Sequence, residues 1–190
     1  MNNNKYVFID RDGVINKDPA GCTRYGYVTG WEDFHIIPGV VEAIKTLTEA
    51  GYKIIIISNQ QGVGKGYFSR ADLDEITVKL KDTIKQAGGE ISDVYYCTHL
   101  KEEKCGCRKP NSGLFQIAKK ELGIESLSGK FFIGDTESDM CSGKKVGMGT
   151  ILVLTGKSSA EDAESWQCKP DHICNDLLDA ARLIMEDHGE

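Results

Sequence analysis

The sequence predicts an α/β protein built on a doubly wound, Rossmann-like parallel sheet. Three observations carry that prediction. Five short runs of apolar, β-branched or aromatic residues recur along the chain, and continuous runs of this kind suit strands covered on both faces. Helical patterns separate successive runs, giving the order βαβαβαβαβα. The 190 residues contain no internal repeat, low-complexity tract or long linker, so 1–190 reads as one domain on the usual scale of about 100–200 residues.

The first predicted strand is 6–9 (YVFI). After Pro38 comes the helical pattern GVVEAIKTLTEAG, then the strand 53–58 (KIIIIS). The next helix, SRADLDEITVKLKDTIKQAGG, has Ser69 as its N-cap. A strand at 93–97 (DVYYC), a helix in SGLFQIAKKELG and a strand at 130–134 (KFFIG) follow. TESDMCSGKKVG is a helical pattern weakened by Gly143. The fifth strand is 150–155 (TILVLT), and a last helix runs over about 176–185 with Asn175 as its cap.

Composition narrows the function. Hydrophobic residues at 40% and charged residues at 27% describe a soluble globular chain. The opening MNNNKYVFID has too short an apolar run for a signal peptide or a membrane span, so the expected location is the cytoplasm and the expected state a monomer. A net charge of -6 argues against nucleic acid and anionic membranes as partners. An anionic substrate must then be met by local basic groups. Of seven cysteines, Cys22, Cys141, Cys168 and Cys174 are scattered and read as reduced thiols. His35, His172 and His188 stand alone and read as non-ligands.

Sites in an open doubly wound sheet lie beyond the carboxyl ends of the strands. Asp10 and Asp12 stand two apart where the first strand ends, and Gly13 lets the chain turn. One carboxylate can attack while its neighbour handles the proton, provided a cation separates their charges. Asp135, with Asp139 one helical turn on, adds hard oxygen ligands that suit Mg²⁺. Ser58, followed by Asn59 and Gln60, ends the second strand, and Lys109 supplies a mobile positive charge. A nucleophile, a metal and donors for the equatorial oxygens are what a transferring phosphoryl group needs.

Cys97, His99, Cys105 and Cys107 form C-x-H-x5-C-x-C. Three thiolates and one imidazole fill a tetrahedral zinc shell and leave no open position, which marks a structural site. Leu100 is the only apolar residue of THLKEEKCG, so the 97–107 loop needs such a clip to order itself. Arg108 and Lys109 follow the last ligand directly and are thereby aimed at the phosphate. GVGKG (62–66) lacks the P-loop spacing and reads as a flexible active-site loop. The polar, aromatic stretch 20–34 leaves the first strand and should border the site.

DRDGVIN, ISNQQGVGKGYF, CRKP and IGDTESDM together resemble the four motifs of the haloacid dehalogenase superfamily of phosphatases. With the Cys/His cluster, the chain resembles the branch holding the heptose bisphosphate and histidinol-phosphate phosphatases. The resemblance spans about 6–156 and implies the haloacid dehalogenase fold without a separate cap domain. It implies that Asp10 is the nucleophile that becomes an aspartyl phosphate, and that Asp12 is the general acid and base. Ser58 and Lys109 would stabilise the phosphoryl group. Tyr27, Asn59, Gln60 and Arg108 would meet the substrate, a small phosphorylated metabolite. Mg²⁺ would be held by Asp10, Asp135 and the Asp12 carbonyl, with Asp139 beside them. SNQQGVGKGYF, ILVLTGK and the lack of a fused dehydratase domain favour the 7-phosphate of D-glycero-D-manno-heptose 1,7-bisphosphate as the bond cleaved. The five residues between His99 and Cys105 look more like the histidinol-phosphate group, and Thr136 stands where both groups commonly carry a basic residue. A receiver-like signalling module is the alternative of another class, but its phosphorylated Asp follows the third strand, where this chain has the cysteines.

Overall fold

A computed structural model describes residues 5–187; His188 lies outside them. Six parallel strands form one sheet: β1 (Lys5–Ile9), β2 (Tyr52–Asn59), β3 (Ile91–Cys97), β4 (Phe131–Gly134), β5 (Gly149–Val153) and β6 (His172–Cys174), in the order β3-β2-β1-β4-β5-β6. Chain direction across the sheet reverses between β1 and β4. Asp10 and Asp135 therefore emerge side by side at the switch point, where doubly wound sheets hold their ligands. Receivers have the flavodoxin-like order 2-1-3-4-5, which this sheet does not follow.

Strand residues alternate between two cores because successive side chains point to opposite faces. Val7, Ile9, Ile54, Ile56 and Ile133 pack under α1 (Val40–Glu49), α3 (Arg70–Gln86) and α7 (Leu177–Asp187). Phe8, Ile55, Ile57 and Phe132 pack under α4 (Gly113–Glu121). On that same side α5 (Glu137–Lys144) and α6 (Ala160–Glu164) bring Met140 and Ala163 onto Leu152. With both faces covered, the uninterrupted apolar runs are accounted for. No helix among the described residues is long and apolar enough to cross a membrane.

The strand and helix order matches the sequence reading, with additions and three corrections. β6 and α6 were not expected: β6 has three residues and Ile173 is 47% exposed, so it presents no apolar run. The cap of α7 is Asp176, whose Oδ1 accepts from the Asp179 N–H at 2.9 Å, while Asn175 donates instead to the Asp179 carboxylate. Part of the GVGKG stretch, expected as a loop, is helical, since Gln61–Gly64 makes a helical turn, α2. Cys141 and Cys168 are joined in a disulfide with Cα atoms 5.1 Å apart. They are 27 residues apart in sequence, but α5 and the segment before β6 lie against one another, and the Glu137 carboxylate also accepts from the Gln167 N–H at 2.8 Å. Ser69 caps α3 as expected. His172 packs edge-on against Phe131.

Phe115 of α4 is fully buried, edge-on to Phe132 at 4.9 Å and tilted against Phe8 at 5.8 Å. Phe115→Ala should cost about 3–5 kcal/mol, the range for emptying a buried aromatic site. Chemical denaturation should show the loss as a lower midpoint at unchanged slope.

Candidate active site

Beyond the switch point lies a cavity of about 210 Å³ whose walls include Asp10, Asp12, Ser58, Asn59, Arg108, Lys109, Asp135, Asp139 and Tyr27. At its floor the Lys109 ammonium is buried between the carboxylates of Asp10 (2.9 Å) and Asp139 (2.7 Å), and also donates to the Ile57 carbonyl at 3.0 Å. Asp10 Oδ1 accepts from the Arg11 N–H as well, at 2.7 Å. Oxygens of Asp10, Asp135 and Asp139 fall within 4.8 Å of one another. Fully ionised, the three carboxylates exceed the one ammonium by two negative charges. A hard divalent cation with oxygen ligands fits that set in both charge and chemistry.

Burial and crowding govern how these groups titrate. Burial, with Asp139 and Asp12 nearby, raises Asp10 to about 6 despite Lys109. Burial, then Asp139 and Asp10, raises Asp135 to about 8. Burial alone would lower Lys109, but Asp10 and Asp139 more than reverse it and hold the ammonium charged. Glycines make the crowding possible. A Cβ at Gly13 or Gly156 would run into the Asp135 carboxylate, and one at Gly134 into Asp139.

Asp12 sits apart from that trio in a network of its own. Arg11, fully buried, donates to both of its oxygens at 2.9 and 3.1 Å. Asn16 and Gln60 donate to it at 2.9 and 2.8 Å. Burial works to raise Asp12, but Arg11, Asn16 and Gln60 together hold it below the usual carboxylate range. Gln60, expected to meet substrate, is fully buried and is not on the cavity wall. Its Nε2 is shared between Asp12 and Ser58 Oγ, and its Oε1 accepts from Arg11. Gln61 takes the place on the wall.

The remaining predicted residues are brought together. Asn59 clasps the backbone of Lys109 in both directions, at 3.2 and 3.1 Å. Arg108 reaches the wall with a buried Nη1 that has no hydrogen-bond partner among the described residues. Thr136 Oγ1 donates to Asp139 at 2.6 Å, as does the Thr136 N–H at 3.0 Å, so this residue orients a carboxylate of the trio. Cys97, His99, Cys105 and Cys107 converge at the far end of the Lys109 loop. Five of the six pairs of ligand atoms stand 3.2–3.7 Å apart, and all lie within 4.8 Å. A tetrahedral shell with bonds near 2.3 Å has edges of roughly 3.7 Å, so the cluster fits a four-coordinate metal.

Residues the sequence reading left out also matter. Arg11 and Asn16 lie inside the quoted DRDGVIN but reach Asp12 from below. Lys157 lines the cavity, its N–H donating to Asp135 at 2.9 Å and its ammonium 3.7 Å from Asp18. It follows β5, and searching that strand end like the other four would have found it.

Residues 106–180 match the hydrolase-like family model described as HAD-hydrolase-like. A Helicobacter pylori (strain 26695) relative, called D-glycero-beta-D-manno-heptose-1,7-bisphosphate 7-phosphatase, is 39% identical over 94% of this chain and 99% of its own length. The chain is a haloacid dehalogenase-like phosphatase. A Haemophilus ducreyi relative of the same name is 36% identical over 95% of this phosphatase and 98% of its own length. Among solved structures, a D,D-heptose 1,7-bisphosphate phosphatase from B. bronchiseptica, complexed with magnesium and phosphate, superposes with a TM-score of 0.86. It is 28% identical to the phosphatase and covers 96% of this chain and 99% of its own.

Asp10 and Asp135 titrate above the 3.8 of an ordinary Asp. The folded, Mg²⁺-free phosphatase thus binds more protons than the unfolded chain, and this contribution to stability is full below pH about 4. It is lost as pH rises through about 6 and then about 8. The melting temperature of Mg²⁺-free enzyme should fall from roughly pH 5 to roughly pH 8.5, and saturating Mg²⁺ should flatten the fall. A flat or rising profile without Mg²⁺ would contradict proton sharing in the trio.

Proposed function

We propose that this phosphatase removes the 7-phosphate of D-glycero-D-manno-heptose 1,7-bisphosphate by way of an aspartyl phosphate on Asp10. The observation that carries the chemistry is the convergence of Asp10, Asp135, Asp139 and Lys109 on one cavity floor. The substrate is supported by relatives of that name, 39% and 36% identical along nearly their whole lengths.

Asp10 has Oδ1 held by Lys109 and the Arg11 N–H, which orients the carboxylate for in-line attack on phosphorus. As the new P–O bond forms, the bond from phosphorus to the sugar oxygen breaks, and Asp12 gives that oxygen its proton. The resting Asp12 is ionised. A dianionic phosphate arriving beside it adds a like charge, which raises its proton affinity and loads it as the acid. In the second half Asp12, again a carboxylate, takes a proton from water as the water attacks the aspartyl phosphate. The bond from phosphorus to Asp10 breaks and inorganic phosphate leaves. Mg²⁺, held by Asp10, Asp135 and Asp139 with the Asp12 carbonyl, would neutralise charge on the phosphoryl oxygens. Ser58 offers a donor to those oxygens, and the charge of Lys109, whose three N–H groups are already engaged, attracts them. Arg108, Asn59 and Tyr27 face the sugar, and Gln60 aligns Asp12 and Ser58. Zn²⁺ on Cys97, His99, Cys105 and Cys107 would hold the loop that presents Arg108 and Lys109.

The short spacing between His99 and Cys105 keeps histidinol phosphate as the second reading. Comparing kcat/KM for the two compounds at equal Mg²⁺ decides between them. A preference of about tenfold or more for histidinol phosphate, near 1.4 kcal/mol of transition-state binding, would reverse the assignment.

Asp10→Asn should abolish turnover, and Asp12→Asn should slow it by about 10²–10⁴-fold. Near wild-type turnover in Asp10→Asn would end this mechanism. Cys107→Ser should lower bound zinc, measured by elemental analysis, and reduce activity while leaving the far-UV spectrum of the sheet intact. Purified protein free of zinc and fully active would remove the clip from the account.

A further inference from the structure

Of the cations lining the cavity, Arg108 faces the sugar beside the cleaved phosphate, and the other two are engaged. Lys109 is saturated by Asp10, Asp139 and the Ile57 carbonyl, and Lys157 lies 3.7 Å from Asp18. Toward the mouth the situation differs. Lys65 Nζ sits over two rings at once, 5.4 Å from the centre of Tyr27 and 5.7 Å from that of Tyr67, and makes no ion pair or hydrogen bond among the described residues. Ring contacts hold a cation without using its N–H donors. This ammonium is therefore located, yet all three donors remain open.

Its position is built rather than accidental. Lys65 closes α2, its N–H donating to the Gln61 carbonyl at 3.0 Å, and the Tyr67 N–H donates to the Gly62 carbonyl at 3.0 Å. Gly66 makes the turn at φ 70°. Below them, Gly64 lies so close to the Thr98 carbonyl that a Cβ would stand 2.5 Å from it. A Cβ at Gly62 would meet Phe68, with Tyr27 at 3.0 Å. Tyr67 stacks on Tyr25 (4.6 Å, 9°), and Arg24 lies over Tyr25 at 5.1 Å. Tyr27 connects this cluster to the chemistry, because the residue under Lys65 also lines the cavity of Asp10.

We propose that Lys65, clamped over Tyr27 and Tyr67, is the subsite for the distal phosphate of a bisphosphorylated sugar, the phosphate that is not cleaved. This deepens the substrate reading above and rests on it. A chain of net charge -6 repels a second phosphate in general, so a fixed, unpaired cation one ring away from the cavity gives the bisphosphate a local contact that a monophosphate lacks.

The test compares wild type, Lys65→Met and Lys65→Arg on D-glycero-D-manno-heptose 1,7-bisphosphate and on the 7-phosphate alone. Lys65→Met should lower kcat/KM for the bisphosphate about tenfold, mainly through KM, and change the 7-phosphate value by less than about twofold. Lys65→Arg should retain most of the bisphosphate preference. Equal losses on both compounds, or no loss on either, would overturn the subsite. Wild-type enzyme that turns over neither heptose compound sinks the substrate reading alone. The same comparison on fructose 1,6-bisphosphate and fructose 6-phosphate then supports or overturns the subsite by the same criterion.

Discussion

The buried ammonium of Lys109 joins three parts of the chain at the carboxyl end of the sheet. Its partners are Asp10 beyond β1, the Ile57 carbonyl of β2 and Asp139 of α5. Remove the charge, and two buried carboxylates face each other without compensation, a loss of the kind that costs about 3–5 kcal/mol when one member of a buried pair is deleted. The lysine is held in its turn. Asn59 grips its backbone, and the Cys/His cluster fixes the loop that brings it in. Its position thus depends on a Cys/His cluster that ends two residues earlier, at Cys107.

Two aspartates only two residues apart are shifted in opposite directions. Burial, in a crowd of acids, raises Asp10 to about 6, whereas Asp12 is held low by Arg11, Asn16 and Gln60. Pairs of titratable groups separated in this way divide acid–base labour between them. Arg11 is what makes the division possible. It is fully buried, stacked near Phe34 and Tyr96, and committed to Asp12. Two charge systems therefore lie within one turn of chain: the trio with Lys109, suited to a metal, and the Asp12 network, suited to a proton.

The convergence on one cavity was legible in the sequence because its residues are local. Asp10, Ser58, Lys109 and Asp135 each belong to a short motif, and all but Lys109 directly follow or end an apolar run. Side-chain direction was less legible. Gln60 and Gln61 look equivalent on paper, yet the backbone after β2 turns the first inward to Asp12 and the second onto the wall. The Cys141–Cys168 bridge was invisible because nothing local relates residues 27 apart. β6 escaped because a three-residue edge strand with an exposed Ile173 has too little buried surface to mark itself.

Gly13, Gly134 and Gly156 press backbone against the acidic trio so closely that no side chain fits there. The mouth is different, built from side chains on the 20–30 stretch and on α2. Variation is thus partitioned by sterics. A side chain added at those glycines would displace the trio, whereas Tyr25, Tyr67 and Arg24 lie off the cavity wall. A scaffold divided in this way can acquire new substrates by drift at its rim while the reaction beneath stays the same.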